Sequence, residues 1–183
     1  MSKFADRPNS ALIVIDVQNG VVSDSWQREE VVANINSLVA KARGMGTPVI
    51  WVQHSDPWMP LGSEKWKIIE ELEPDAEEVH IQKSYRSSFE ETNLEKALAE
   101  LGVGHLFIAG AQTNYCVRHT SHAALERGYD VTLVEDAHTT SDSQWDTGTL
   151  SAEVIVAEQN QAMMDYELPG RSASVAPTSE ISF

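Results

Sequence analysis

Apolar runs of strand length alternate with amphipathic helical segments from one end of this chain to the other, and few architectures accept that alternation. The strand-type runs are Ala11–Asp16, Pro48–Gln53, Val79–Lys83, His105–Gly110 and Asp130–Glu135, with a weaker sixth near Ser172–Ala176. Most are β-branched or aromatic and show little alternation, the pattern of strands buried on both faces of a parallel sheet. Between them, Glu29–Arg43 carries Val31, Val32, Ile35, Leu38, Val39 and Ala42 on a helical stripe, followed by Gly44 and Gly46 as stop signals. Asn93–Leu101 aligns Leu94, Ala97, Leu98 and Leu101, a further helix runs from Cys116 towards Gly128, and a last one covers Ala152–Tyr166.

This alternation predicts an α/β protein: a three-layer α/β/α sandwich around a mostly parallel, about six-stranded Rossmann-like sheet, with residues 1–183 as a single domain. Two irregular stretches interrupt it, Ser55–Glu77 and Ala137–Leu150. Loops of that length are either lids and pocket walls or plain surface insertions.

Charge removes whole classes of partner. The formal net charge is -15, from 28 acidic and 13 basic residues. A nucleic-acid binder displaces counterions with a basic face, so no nucleic-acid partner is expected, and no anionic membrane surface either. No apolar run approaches the ~18 residues of a membrane span. The polar start MSKFADRPNS lacks a signal-peptide core, which predicts a cytoplasmic protein. Cys116 is the only cysteine, so there is no intrachain disulfide and no zinc-spaced cysteine pair. No GxGxxG or phosphate-binding loop follows the first strand.

Ligands of open parallel sheets bind beyond the carboxyl ends of the strands. At those ends stand Asp16 after ALIVI, Lys83 closing VHIQK, and Cys116 in the GAQTNYC turn that starts a helix. Taken singly, each has a plain use: an inert buried thiol, a turn-forming aspartate, a solvated lysine. Their coincidence suits acyl transfer. A neighbouring cation and a helix start are expected to lower the thiol pKa from ~8.5. A carboxylate is suited to take the thiol proton and return it to a leaving amine. The backbone between Gly110 and Cys116 offers N–H groups for an oxyanion.

The chain resembles the isochorismatase-like cysteine hydrolases, the family that includes nicotinamidases and other amide-cleaving enzymes. The matching segments are ALIVIDVQN, GTPVIWVQHSD, QKSYRSSFEETNLEKAL, GVGHLFIAGAQTNYCVRHTSHAALERGYDVTLVEDAHTT and SASVAPTSEI, in order along nearly the whole chain. The resemblance implies an Asp–Lys–Cys triad at Asp16, Lys83 and Cys116, and a non-proline cis peptide between Ala111 and Gln112. It also implies an oxyanion hole from the N–H groups of Gln112 and Cys116, a thioester intermediate and a homo-oligomer. Metal-dependent members carry Asp-x-His after the second strand. Here His54 and Asp56 stand in reversed order, so no metal and no cofactor are expected. Members that cleave a vinyl ether dispense with the cysteine.

The expected function is therefore hydrolysis of a small amide. A vinyl-ether hydrolase, or a non-catalytic small-molecule binder or thiol sensor, remains the alternative, although no second cysteine is present to resolve an oxidised one. Expected pocket walls are Gln18, His54, Phe89 and Tyr115, the aromatic pair for their closeness in sequence to the triad.

Overall fold

A computed structural model describes residues 2–164 and 166–183. The strands are β1 (Asn9–Ile15), β2 (Val49–His54), β3 (Val79–Lys83), β4 (Val103–Ala111), β5 (Asp130–Thr139), the short β6 (Ser143–Trp145) and β7 (Gly148–Leu150), β8 (Glu167–Leu168) and β9 (Arg171–Ala176). The α-helices are α1 (Asn19–Val22), α2 (Arg28–Met45), α3 (Leu94–Glu100), α4 (Arg118–Arg127) and α5 (Ala152–Met164). The expected last turn of α5, out to Tyr166, includes Asp165, which lies outside the described residues.

The main sheet has the order β3-β2-β1-β4-β5-β9-β8. Six strands run parallel, and the two-residue β8 adds an antiparallel edge to the six expected from sequence. Alternate residues of β1 serve different cores. Leu12 and Val14 pack with the α2 stripe, Trp51 and Phe107, while Ala11, Ile13 and Ile15 pack with Leu94 and Leu98 of α3, Ala124 and Leu125 of α4, and Met163 of α5. Both faces are covered from Ala11 to Ile15, so no position of that stretch carries a polar side chain. That is the physical origin of the unbroken ALIVI run. Among the described residues, no helix is long and apolar enough to cross a membrane.

The chain leaves β1 toward β2 and β3 on one side, then returns to place β4 on the other. The reversal makes the carboxyl ends of β1 and β4 the switch point where open sheets hold ligands. Register fixes what meets there: Ile15 pairs with Gly110, and His54 pairs with Lys83. Gly110 has φ +116°, and a Cβ on it would lie 2.1 Å from the carbonyl oxygen of Ile15. Gly110→Ala should therefore force β1 and β4 apart, costing about 2–4 kcal/mol in clash and backbone strain. A lowered urea midpoint measures it, and an unchanged midpoint would show that the contact yields cheaply.

The stretch expected to be irregular after Ala137 is more ordered than its composition indicates. After a register shift, β5 continues to Thr139, with His138 opposite Gly110 and Thr139 opposite Ala111, and β6 and β7 form a hairpin. Its polar side chains find buried partners: Thr139 Oγ1 donates to the Trp26 carbonyl at 2.5 Å, and His138 is held between Thr113 and Asn160. The stretch 55–77 is a long connection fastened by the buried side chains of Met59, Ile69 and Leu72.

Candidate active site

Asp16 follows the last residue of β1 with φ +50°, a left-handed conformation that side chains other than glycine seldom adopt. Its side chain is 1% exposed and that of Lys83 0%. Lys83 Nζ stands 2.7 Å from Asp16 Oδ2, an ion pair by distance without the angles of a hydrogen bond, so neither carboxylate oxygen has a hydrogen-bond donor. The same ammonium donates to Cys116 Sγ at 3.2 Å and to the Tyr85 carbonyl at 3.2 Å, and faces His54 Nδ1 at 3.5 Å. Burial alone would lower the Lys83 pKa, but the charges of Asp16 and Cys116 outweigh it and raise it. Three strand ends thus deliver an acid, a cation and a thiol to one point.

The Ala111–Gln112 peptide is cis. Beyond it, Thr113–Val117 forms a single π-helical turn that carries Cys116 into α4, the wider turn often found at functional sites. The Gln112 carbonyl accepts from the N–H groups of Tyr115 at 3.0 Å and Val117 at 3.2 Å, while the Cys116 N–H between them does not donate to it. Thr113 Oγ1 bonds the buried His138 Nδ1 at 2.9 Å and Asn114 Oδ1 accepts from Thr140 at 2.8 Å, so β5 steadies the turn.

The thiol corrects one expectation. Burial, then the negative charge of Asp16, pushes the Cys116 pKa up to about 12, with Lys83 pulling only partly the other way. Burial therefore favours the thiol over the thiolate, and the Asp16 carboxylate lies in the same cavity wall. The sequence carries the lysine and the helix start but not the depth of burial, which outweighs both.

A cavity of about 380 Å³ opens over Asp16 and Cys116, lined also by Gly20, Val21, His54, Asp56, Trp58, Met59, Arg86, Gln112 and Tyr115, while the fully buried Lys83 lies outside the lining. Of the four residues expected to wall the pocket, His54 and Tyr115 line this cavity and Gln18 and Phe89 do not. The amide of Gln18 is buried, accepting from the His54 N–H at 2.8 Å and donating to the carbonyls of His54 at 3.0 Å and Trp66 at 2.6 Å. It is a brace between the end of β2 and the 55–77 connection. Phe89 is a core residue whose ring lies 5.8 Å from that of Tyr129, because the chain turns inward at Ser88 to bond Thr120.

His54 Nε2 faces Asp56 Oδ2 at 3.5 Å, and among the described residues no three metal-ligating side chains come together. Asp56 Oδ1 also accepts the N–H groups of Met59 at 2.7 Å and Trp58 at 2.8 Å, which hold its pKa down. Arg86, Gly20 and Met59 escaped the sequence reading. Gly20 left a signal only in retrospect: a Cβ there would meet Met59 Sδ and Lys65 Cβ, each at 3.0 Å.

An isochorismatase-domain family model matches residues 10–161. A streptothricin hydrolase of Streptomyces noursei is 32% identical over 145 residues, covering 75% of this chain and 57% of that protein. Among solved structures, a Pseudomonas putida isochorismatase superposes with TM-score 0.86 at 32% identity, covering 97% of this chain and 92% of the other. N-carbamoylsarcosine amidase of Thermoplasma acidophilum gives 0.76 at 25% identity, covering 96% and 99%.

Proposed function

Since the chain belongs to the isochorismatase family, we propose that it hydrolyses a small amide, with Cys116 as nucleophile, Asp16 as proton carrier and Lys83 as the cation that aligns them. The observation that carries this reading is the Cys116 sulfur in the cavity wall, 3.2 Å from the Lys83 Nζ that also stands 2.7 Å from Asp16 Oδ2. Amidase and hydrolase relatives of this fold support the same class of reaction.

Sγ attacks the amide carbon as its proton passes to Asp16, so thiolate forms only as the C–S bond forms. That order suits a thiol whose resting pKa is high. The carbonyl oxygen takes up negative charge against the N–H groups of Gln112 and Cys116. The C–N bond then breaks, and the leaving nitrogen receives the proton held by Asp16, leaving a Cys116 thioester. Asp16, again a carboxylate, accepts a proton from water as the water attacks. Collapse expels the sulfur, which recovers that proton, and the carboxylic acid leaves.

Ammonia or amine release from a panel of small primary and N-carbamoyl amides tests the reaction class. Acid quenching during turnover, followed by intact-mass measurement, should show a gain equal to the acyl group on the peptide that contains Cys116. Turnover with no adduct in any quench, and no burst of amine, would count against the thioester. A carbonyl product formed without amine release would favour vinyl-ether cleavage instead.

A further inference from the structure

We infer that Arg86 is the anion-recognition residue of the cavity and that the substrate is a small amide bearing a carboxylate. The inference rests on the amidase reading for the amide, and on Arg86 alone for the anion.

Acidic residues outnumber basic ones 28 to 13 in this chain, so partners for a cation are plentiful. Among the described residues, Arg7, Arg28, Arg43, Arg118, Arg127 and Arg171 each donate a hydrogen bond to a protein acceptor. Among the described residues, Arg86 is the one arginine with no hydrogen bond to a protein acceptor. Its guanidinium lies over the ring of Tyr115, 4.6 Å from the centroid, at the cavity wall. A guanidinium over a ring makes no hydrogen bond to it, so the N–H fork that grips a carboxylate bidentately stays available.

The acids of the same cavity are already engaged. Asp16 is paired with Lys83, and Asp56 is held by two backbone N–H groups and His54. Arg86 is therefore the cavity-lining cation that no protein acceptor takes up, beside the residue that precedes the nucleophile. A protein of net charge -15 repels anions at long range. A local cation is what such a surface needs in order to hold a negatively charged substrate.

Malonamate, succinamate and glutaramate, each compared with its methyl ester of the same length, test the charge without changing the amide. The best acid should exceed its ester in kcat/KM by at least tenfold, and Arg86→Gln should reduce that ratio at least tenfold, with Arg86→Lys intermediate. Calorimetric titration of Cys116→Ala with the same pairs reads binding without chemistry, and adding Arg86→Gln should weaken the acid at least tenfold. A ratio unchanged by Arg86→Gln overturns the inference while leaving amide hydrolysis intact. Arg86-dependent binding of the acids without any amide hydrolysis upholds it and removes the amidase reading. Equal binding of acid and ester to Cys116→Ala overturns it outright.

Discussion

Asp16→Asn should reduce amide hydrolysis by about 10²–10⁴-fold, the usual worth of a positioned general base, while making Cys116 easier to ionise. The two effects run in opposite directions, which is what makes the variant informative. In the native site, burial and then the Asp16 charge raise the thiol pKa to about 12. Removing that charge favours the thiolate, so the pH profile of iodoacetamide labelling should move toward acid. Labelling at pH 8 should quicken relative to the native protein, whose rate should still be climbing above pH 9. A site that worked by storing thiolate would gain from the same substitution. Retained turnover in Asp16→Asn, or a labelling profile shifted toward alkali, would remove Asp16 from its role as base.

Lys83→Met carries the second large effect, on stability as well as rate. Both ionised side chains of the Lys83–Asp16 pair are shut off from water. Deleting one partner leaves a buried charge uncompensated, which costs about 3–5 kcal/mol. The raised pKa of Lys83 means that its contribution is complete at neutral pH and is lost only as pH rises through and beyond the ordinary lysine range. Adding Asp16→Asn to Lys83→Met removes the orphaned charge, so the double variant should recover much of the lost stability while remaining inactive. Urea denaturation of the four proteins in this cycle measures the coupling. Additive losses would mean that the pair does not stabilise the fold as a pair.

Legibility in the sequence followed burial. The runs ALIVI and LFIA were readable because both faces of β1 and β4 are covered there, so no polar residue interrupts them. Asp16, Lys83 and Cys116 could be singled out because each stands where an apolar run stops and a strand end opens on the crevice. The EDAHTT stretch was unreadable as strand, since its polar side chains are satisfied by partners remote in sequence, among them Trp26 and Asn160. Phe89 lies outside the cavity lining for a related reason: nearness to the triad along the chain says nothing of which way a side chain turns. Arg86 left no signal, because an arginine in a polar loop looks the same whether or not an acid meets it.

The strand order has a consequence for how activity relates to folding. Asp16, Lys83 and Cys116 reach one point only after β3, β2, β1 and β4 have zipped side by side. No local unit, no single hairpin or helix pair, holds two of the three groups. A partly folded chain therefore has no weakened version of the site, only scattered pieces of it. On the mechanism proposed above, catalysis is an all-or-none readout of the assembled sheet, and a nick that detaches β3 should silence the thiol without touching it.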